Sequence, residues 1–188
     1  MRKIFSILLV SFYLSACGLS PQIVTIDPEL SDAKAAPASS GSTFNLVITD
    51  ARQSQTLGQR GGVYKDTSII KTEGDITALI HQKLSNSFKK AGYNVAPSAT
   101  TRLDVSIVKL AYQGHGETRI SEVEVSAEIL ATATNASTKF TKSYKASRKK
   151  EVLKAPDEKK NEEMINEIFN AVIQRVLDDD ELLSYIKE

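Results

Sequence analysis

One cysteine, two histidines and no tryptophan stand among the 188 residues. A lone thiol excludes an internal disulfide, and so few imidazoles and thiols argue against a four-ligand zinc site. His81 follows Ile80 in a segment of helical periodicity, with no second histidine one turn away, and reads as a surface or boundary residue. His115 sits between two glycines in a turn. No Gly-x-Ser-x-Gly elbow presents a serine to a base. The glycines of Gly58-Gln59-Arg60-Gly61-Gly62 lack both the Lys-Ser/Thr pair of a Walker loop and the spacing of a dinucleotide fingerprint, so no cofactor is implied. Neither sign of charge prevails: 24 basic and 23 acidic side chains leave +1. That balance argues against nucleic acid as a partner, because such binding rests on neutralising many phosphates. After residue 14 there is no second long apolar run and no internal repeat.

The one long apolar run opens the chain. Arg2 and Lys3 precede Ile4 to Leu14, and the run ends in Leu14-Ser15-Ala16-Cys17. A basic start, an apolar stretch of about ten residues and a small-residue exit form an export signal. It is too short to stay in a bilayer as a spanning helix, which needs roughly 20 apolar residues. Residues 1–16 therefore read as a signal peptide cut between Ala16 and Cys17. The four residues ending at Cys17 resemble the lipobox of bacterial lipoproteins, in which the thiol is acylated and becomes the first residue. An ordinary secretory peptide with an incidental cysteine is the alternative. Each buried methylene contributes about 0.8 kcal/mol, so two or more acyl chains make attachment effectively permanent. Residue 18 is Gly. By resemblance to enteric lipoproteins, where Asp at that place favours inner-membrane retention, Gly18 implies the periplasmic face of the outer membrane. The signal takes two basic groups with it, leaving a mature balance of −1.

Residues 17–42 contain Pro21, Pro28 and Pro37 and finish in Ser, Ala and Gly. Such a composition offers little apolar surface to offset the entropy of ordering, and reads as a lipidated flexible tether. As a coil it would reach roughly 25–30 Å. Within it, Ile23-Val24-Thr25-Ile26 has strand character and could dock on a sheet edge.

A single periplasmic domain is expected over 43–188. Phe44, Leu46 and Ile48 alternate with polar neighbours as a strand does. Residues 50–65 read as a polar loop and 67–71 as a short strand. Thr72 with Asp75 is close to a capping box. Ile76, Ile80, Leu84 and Phe88 then form one stripe of a helix that stops at Gly92. Over 101–112 the apolar set slips from Leu103, Val105 and Ile107 to Val108, Leu110 and Tyr112, which predicts a bulge or a twist. Val123 to Ala133 and Phe140 to Ala146 continue an antiparallel meander, turned at Asn135-Ala136-Ser137. Met164 to Leu177 form a second helix, followed by a short terminal piece. The fold class is α+β: a two-layer sandwich, its sheet antiparallel or mixed, with two main helices on one face.

Three charged sets are candidates for function. Glu122 and Glu124 share one face of a strand, as an acid and base of a cell-wall hydrolase would, but alternation with Val123 and Val125 accounts for them. Lys139, Lys142, Lys145, Arg148, Lys149 and Lys150 crowd the third meander strand and its exit. Lysines there guard an edge against pairing, or contact anionic headgroups or an acidic partner. Arg60 could meet an anionic ligand or partner.

The chain also resembles the YajG family of Gram-negative lipoproteins. The likeness runs nearly end to end, through Leu14-Ser15-Ala16-Cys17, Ile23-Val24-Thr25-Ile26-Asp27-Pro28, Ala91-Gly92-Tyr93-Asn94-Val95 and Ile129-Leu130-Ala131-Thr132-Ala133. It continues in Lys142-Ser143-Tyr144-Lys145-Ala146-Ser147 and ends in the run from Asp180 to Lys187. The resemblance implies an outer-membrane lipoprotein without an assigned enzymatic activity and without a family active site. The expectation is a non-enzymatic, lipid-anchored periplasmic module that serves an envelope assembly in a binding or accessory role, with an envelope protein as partner. The alternative is a lipid or glycan carrier with an apolar groove.

Overall fold

The structure, a computed structural model, describes residues 20–34, 42–61, 67–115, 121–153 and 155–187. Along the chain lie β1 (Gln22–Val24), β2 (Thr43–Asp50), β3 (Thr56–Gln59), β4 (Ile69–Thr72) and α1 (Ile76–Lys90). They are followed by β5 (Asn94–Val95), β6 (Arg102–His115), β7 (Ser121–Thr134), β8 (Lys139–Val152), α2 (Glu158–Leu177) and α3 (Asp180–Tyr185). The eight strands form one mixed sheet that does not close into a barrel, so the α+β expectation holds. One core joins the sheet to all three helices.

β6 organises the sheet. One edge pairs antiparallel with β7 along its whole length. The other pairs parallel with β2, from Asn45 opposite Arg102 to Asp50 opposite Ile107, and further on with β3, where Gly58 lies opposite Tyr112. The predicted slip is a β-bulge between Ile107 and Lys109. Leu103, Val105, Ile107, Leu110 and Tyr112 all point into the core. Val108, expected inward with Leu110 and Tyr112, is the extra residue of the bulge and is exposed. β7 buries the six residues expected of it, Val123, Val125, Ala127, Ile129, Ala131 and Ala133. β8 adds Tyr144 and, among the described residues, pairs only with β7.

Two segments correct the sequence reading. The loop expected over 50–65 contains β3, sandwiched between β4 and β6. Its Gly58 has φ +152°, and a Cβ there would lie 1.7 Å from the Tyr112 carbonyl oxygen, so the two backbones meet only because the side chain is missing. The second correction concerns the tether. Over 20–34 the chain is part of the domain, and the folded unit starts before Thr43. β1 pairs in parallel with β4, and the chain then runs along α2. Val24, Ile26 and Ala33 are buried. The backbone of this strap bonds to side chains of α2: Thr25 N–H to Glu162 at 2.7 Å, Asp27 N–H to Asn166 at 2.8 Å, Ser31 N–H to Gln174 at 2.9 Å. The Thr25 carbonyl accepts from the Asn166 amide at 2.8 Å. The strand character of residues 23–26 is met by the pairing of β1 with β4, and beyond it polar partners on a distant helix satisfy the strap's backbone.

α1 is capped by Asp75 itself, whose carboxylate accepts from the Thr77 and Ala78 N–H groups, rather than by Thr72. Gly92, at φ +92°, ends it as expected. Its Phe88 meets Phe44 of β2 and Tyr93 edge to face, at 5.0 and 5.5 Å between ring centres. α2, capped by Asp157, lays Ile165, Phe169, Val172 and Val176 into the core.

The register of these elements gives the domain two poles. The start of the strap, the start of α2, the end of β8, the end of β6 and the exit of β3 lie together at one end. The hairpin of residues 135–138, the end of α2 and α3 lie at the other. In the hairpin the Asn135 side chain accepts from the Ser137 and Thr138 N–H groups, the turn expected there.

Candidate interaction surfaces

Ala16 and Cys17, and with them the whole signal peptide, lie outside the described residues. The first described residue, Ser20, is held by Arg60, whose guanidinium donates to the Ser20 carbonyl. The same side chain donates to the Thr67 carbonyl at 3.1 Å and the Ser68 carbonyl at 3.4 Å. Burial lowers its pKa from the ordinary arginine value. Arg60, read as a contact for an anionic ligand or partner, is half-buried and commits its guanidinium to carbonyls of its own chain. Beside it the Gln22 and Asn161 side-chain amides meet at 2.7 Å, with Asn161 wholly buried. The Gln22 carbonyl oxygen, in the orientation that suits its neighbours, accepts from Arg60 Nη1 and the Glu158 N–H at 3.2 Å each. This polar knot fastens the strap to the N-terminus of α2.

The cations of β8 do not form one patch. Strand alternation sends Lys145 and Lys149 to the uncovered face and Lys142, Arg148 and Lys150 towards the helices. Lys145 pairs with Glu128 at 3.1 Å, and Lys149 with both Glu122 and Glu124 at 3.3 and 3.4 Å. Arg148 pairs with Glu167 of α2. Lys142 reaches Asp179 at 2.6 Å and Glu181 at 3.6 Å. Lys150 has no ion-pair partner among the described residues. Glu122 and Glu124 thus share one lysine in a cross-strand ladder, which is not the arrangement of an acid and a base across a substrate.

Asp179 is the charged residue that sequence reasoning missed. It caps α3 by accepting from the Glu181 and Leu182 N–H groups, and it accepts from the Tyr144 hydroxyl at 2.8 Å. Burial pushes its carboxyl up, but the bonds from Lys142, Leu182 and Tyr144 outweigh this and hold it below the usual carboxylate range. The Asp178-Asp179-Asp180 run between the second helix and the terminal piece was the available signal. Arg175 of α2 donates to the Lys145 carbonyl, occupying part of the free edge of β8.

The helices cover one face of the sheet, leaving β6, β7 and β8 open on the other. There Ala111, Ser126 and Ser147 stand in register across the three strands. These small residues floor two adjoining depressions of about 370 and 330 Å³, rimmed by Gln59, Lys109, Glu124, Glu128 and Lys145. On the covered side, the apolar opening between Val125 and Ile168 has room for only about 10 Å³. A lipid-sized groove, several hundred Å³ in known ligand sites, is not present there. Among the described residues no cluster of three His, Cys, Asp or Glu side chains is placed to hold a metal, and no helix is long and apolar enough to cross a membrane.

Among curated proteins none matches the sequence. Solved structures that align over most of the chain include two lipoproteins. A minor lipoprotein from Acinetobacter baumannii has 8% identity and a TM-score of 0.42, covering 73% of this chain and 89% of that one. Lipoprotein GNA1162 from Neisseria meningitidis has 11% identity and a TM-score of 0.34, covering 72% and 97%. A family described as uncharacterized lipoproteins matches residues 28–187, and that span includes both the strap after β1 and the C-terminal helices. The chain therefore belongs to this lipoprotein family, in agreement with its resemblance to the YajG group.

Proposed function

We propose that the protein is a non-enzymatic module, anchored through acylated Cys17 at the periplasmic face of the outer membrane, that binds an envelope protein with the open face of β6, β7 and β8. One observation carries the reading. A sheet with one face buried under helices leaves the other face with fixed, cross-paired charges around a floor of small residues, a rigid surface suited to recognition. Its carboxylates are tied to lysines rather than poised against each other, which is why binding is preferred to hydrolysis. The filled core likewise disfavours the carrier. The test is site-specific photocrosslinking in living cells from Ser126 and Ser147, with a probe on the solvent side of α1 at Gln82 as control. A discrete protein adduct from the two serines and not from Gln82 is expected. Equal labelling at all three positions, or none, contradicts the assignment.

A further inference from the structure

The strap changes the distance between anchor and domain. From Cys17 to Ser20 there are three residue steps, which span at most about 10 Å when fully extended. Ser20 is fastened to Arg60, and the strap to α2, so these three steps are all the slack the domain has. The 25–30 Å reach of a 25-residue coil is not available to it. Whichever pole carries Ser20 is therefore held against the headgroups.

That pole carries exposed apolar side chains. Leu153, just after β8, is 85% exposed, and Ile23 on β1 is 50% exposed. Ile23 is three residues from Ser20. Leu153 is three residues before Pro156, whose carbonyl accepts from the same Asn161 that meets Gln22. Lys71, opposite Ile23 in the β1–β4 register, Lys150 and Lys159 have no ion-pair partner among the described residues. Glu151, Asp157 and Glu158 keep this pole from being strongly basic, so apolar contact leads and the lysines assist. Short apolar side chains beside cations suit the interfacial zone of a bilayer.

We propose that this pole is a membrane-docking surface: Leu153 and Ile23 enter the interfacial layer of the bilayer that holds the Cys17 lipid, with Lys71, Lys150 and Lys159 at headgroup phosphates. The domain then stands with its 14-residue strands directed away from the membrane, about 45 Å from pole to pole at 3.3 Å per residue. The distal hairpin and the open face remain accessible. This rests on the lipid-anchored reading.

The test uses the full lipidated protein reconstituted into vesicles of phosphatidylethanolamine and phosphatidylglycerol. Because acylated Cys17 cannot react, Leu153→Cys, Ile23→Cys and Ser137→Cys each supply a single thiol for an environment-sensitive fluorophore. Vesicle flotation is measured on the same samples. The expected result is co-flotation of all three, with labels at 153 and 23 quenched several-fold more by spin-labelled lipid than the label at 137 in the distal hairpin. Co-flotation with equal quenching at all three sites overturns the docking surface and leaves anchoring intact. Failure to float with the vesicles overturns both.

Discussion

Asp179 joins three elements through one carboxylate: it caps α3, accepts from Tyr144 of β8 and neutralises Lys142. Losing a cap costs about 1 kcal/mol, and losing charge-assisted bonds about 1.5–3. Asp179→Ala should therefore lower stability by about 2–4 kcal/mol in urea unfolding, and Asp179→Asn, which still caps, by about half that. Because the folded carboxyl is held below its unfolded value of about 3.9, its contribution is complete above that pH and is lost as the pH falls through the folded value. The gap between wild type and Asp179→Asn should stay flat above about pH 5 and close below about pH 4. Tyr112 and Tyr144 form a contrasting pair. The Tyr112 hydroxyl is buried without a hydrogen-bond partner, and burial pushes it up to about 12. Removing an unsatisfied group costs little, so Tyr112→Phe should match or exceed wild type by up to about 1 kcal/mol. Tyr144→Phe, which breaks the bond to Asp179, should destabilise by about 1–2 kcal/mol. Above about pH 10 the unfolded phenol loses its proton before the buried one, so wild type should lose stability relative to Tyr112→Phe as the pH climbs towards 12.

At the scale of elements, the strap is the feature that most alters the picture. Val24 and Ile26 are buried at about 1.5–3 kcal/mol each, about 3–6 together, comparable with the whole stability of many domains. A chain starting at Ser42 should lose that much or fail to fold, whereas one starting at Ser20 should unfold like the full mature protein; circular dichroism with urea separates the two outcomes. Gly58→Ala forces a side chain into the Tyr112 carbonyl and should cost about 2 kcal/mol or more at the β3–β6 junction. The same elements show which parts of the fold could be read in advance. The bulge in β6 was legible because a change of pleat face shifts every apolar residue after it. β7 and α2 were legible because their buried stripes are long. β3 was not, since a four-residue strand with one buried leucine has no period. Of the strap only the strand character of residues 23–26 was legible, because its other stabilising partners are amides and a carboxylate 137 to 143 residues away.

For the whole molecule, the export signal and Cys17 are read from local sequence alone and lie outside the described residues. The proposed recognition surface was not legible: the lysines of β8 form one cluster in sequence, but strand alternation divides them between two faces and carboxylates of β7, α2 and α3 take up most of them. What remains is a one-sided sandwich that, on the proposed anchoring, is tied at one pole to a short leash and open along a face turned to the periplasm. The leash gives the architecture its sense, and its origin is chemical. Intact-mass analysis of the protein extracted in detergent from cell envelopes tests it directly. The account predicts a polypeptide beginning at Cys17, heavier than its amino acids by a thioether-linked diacylglycerol. A free thiol at Cys17, or retention of residues 1–16, would contradict it.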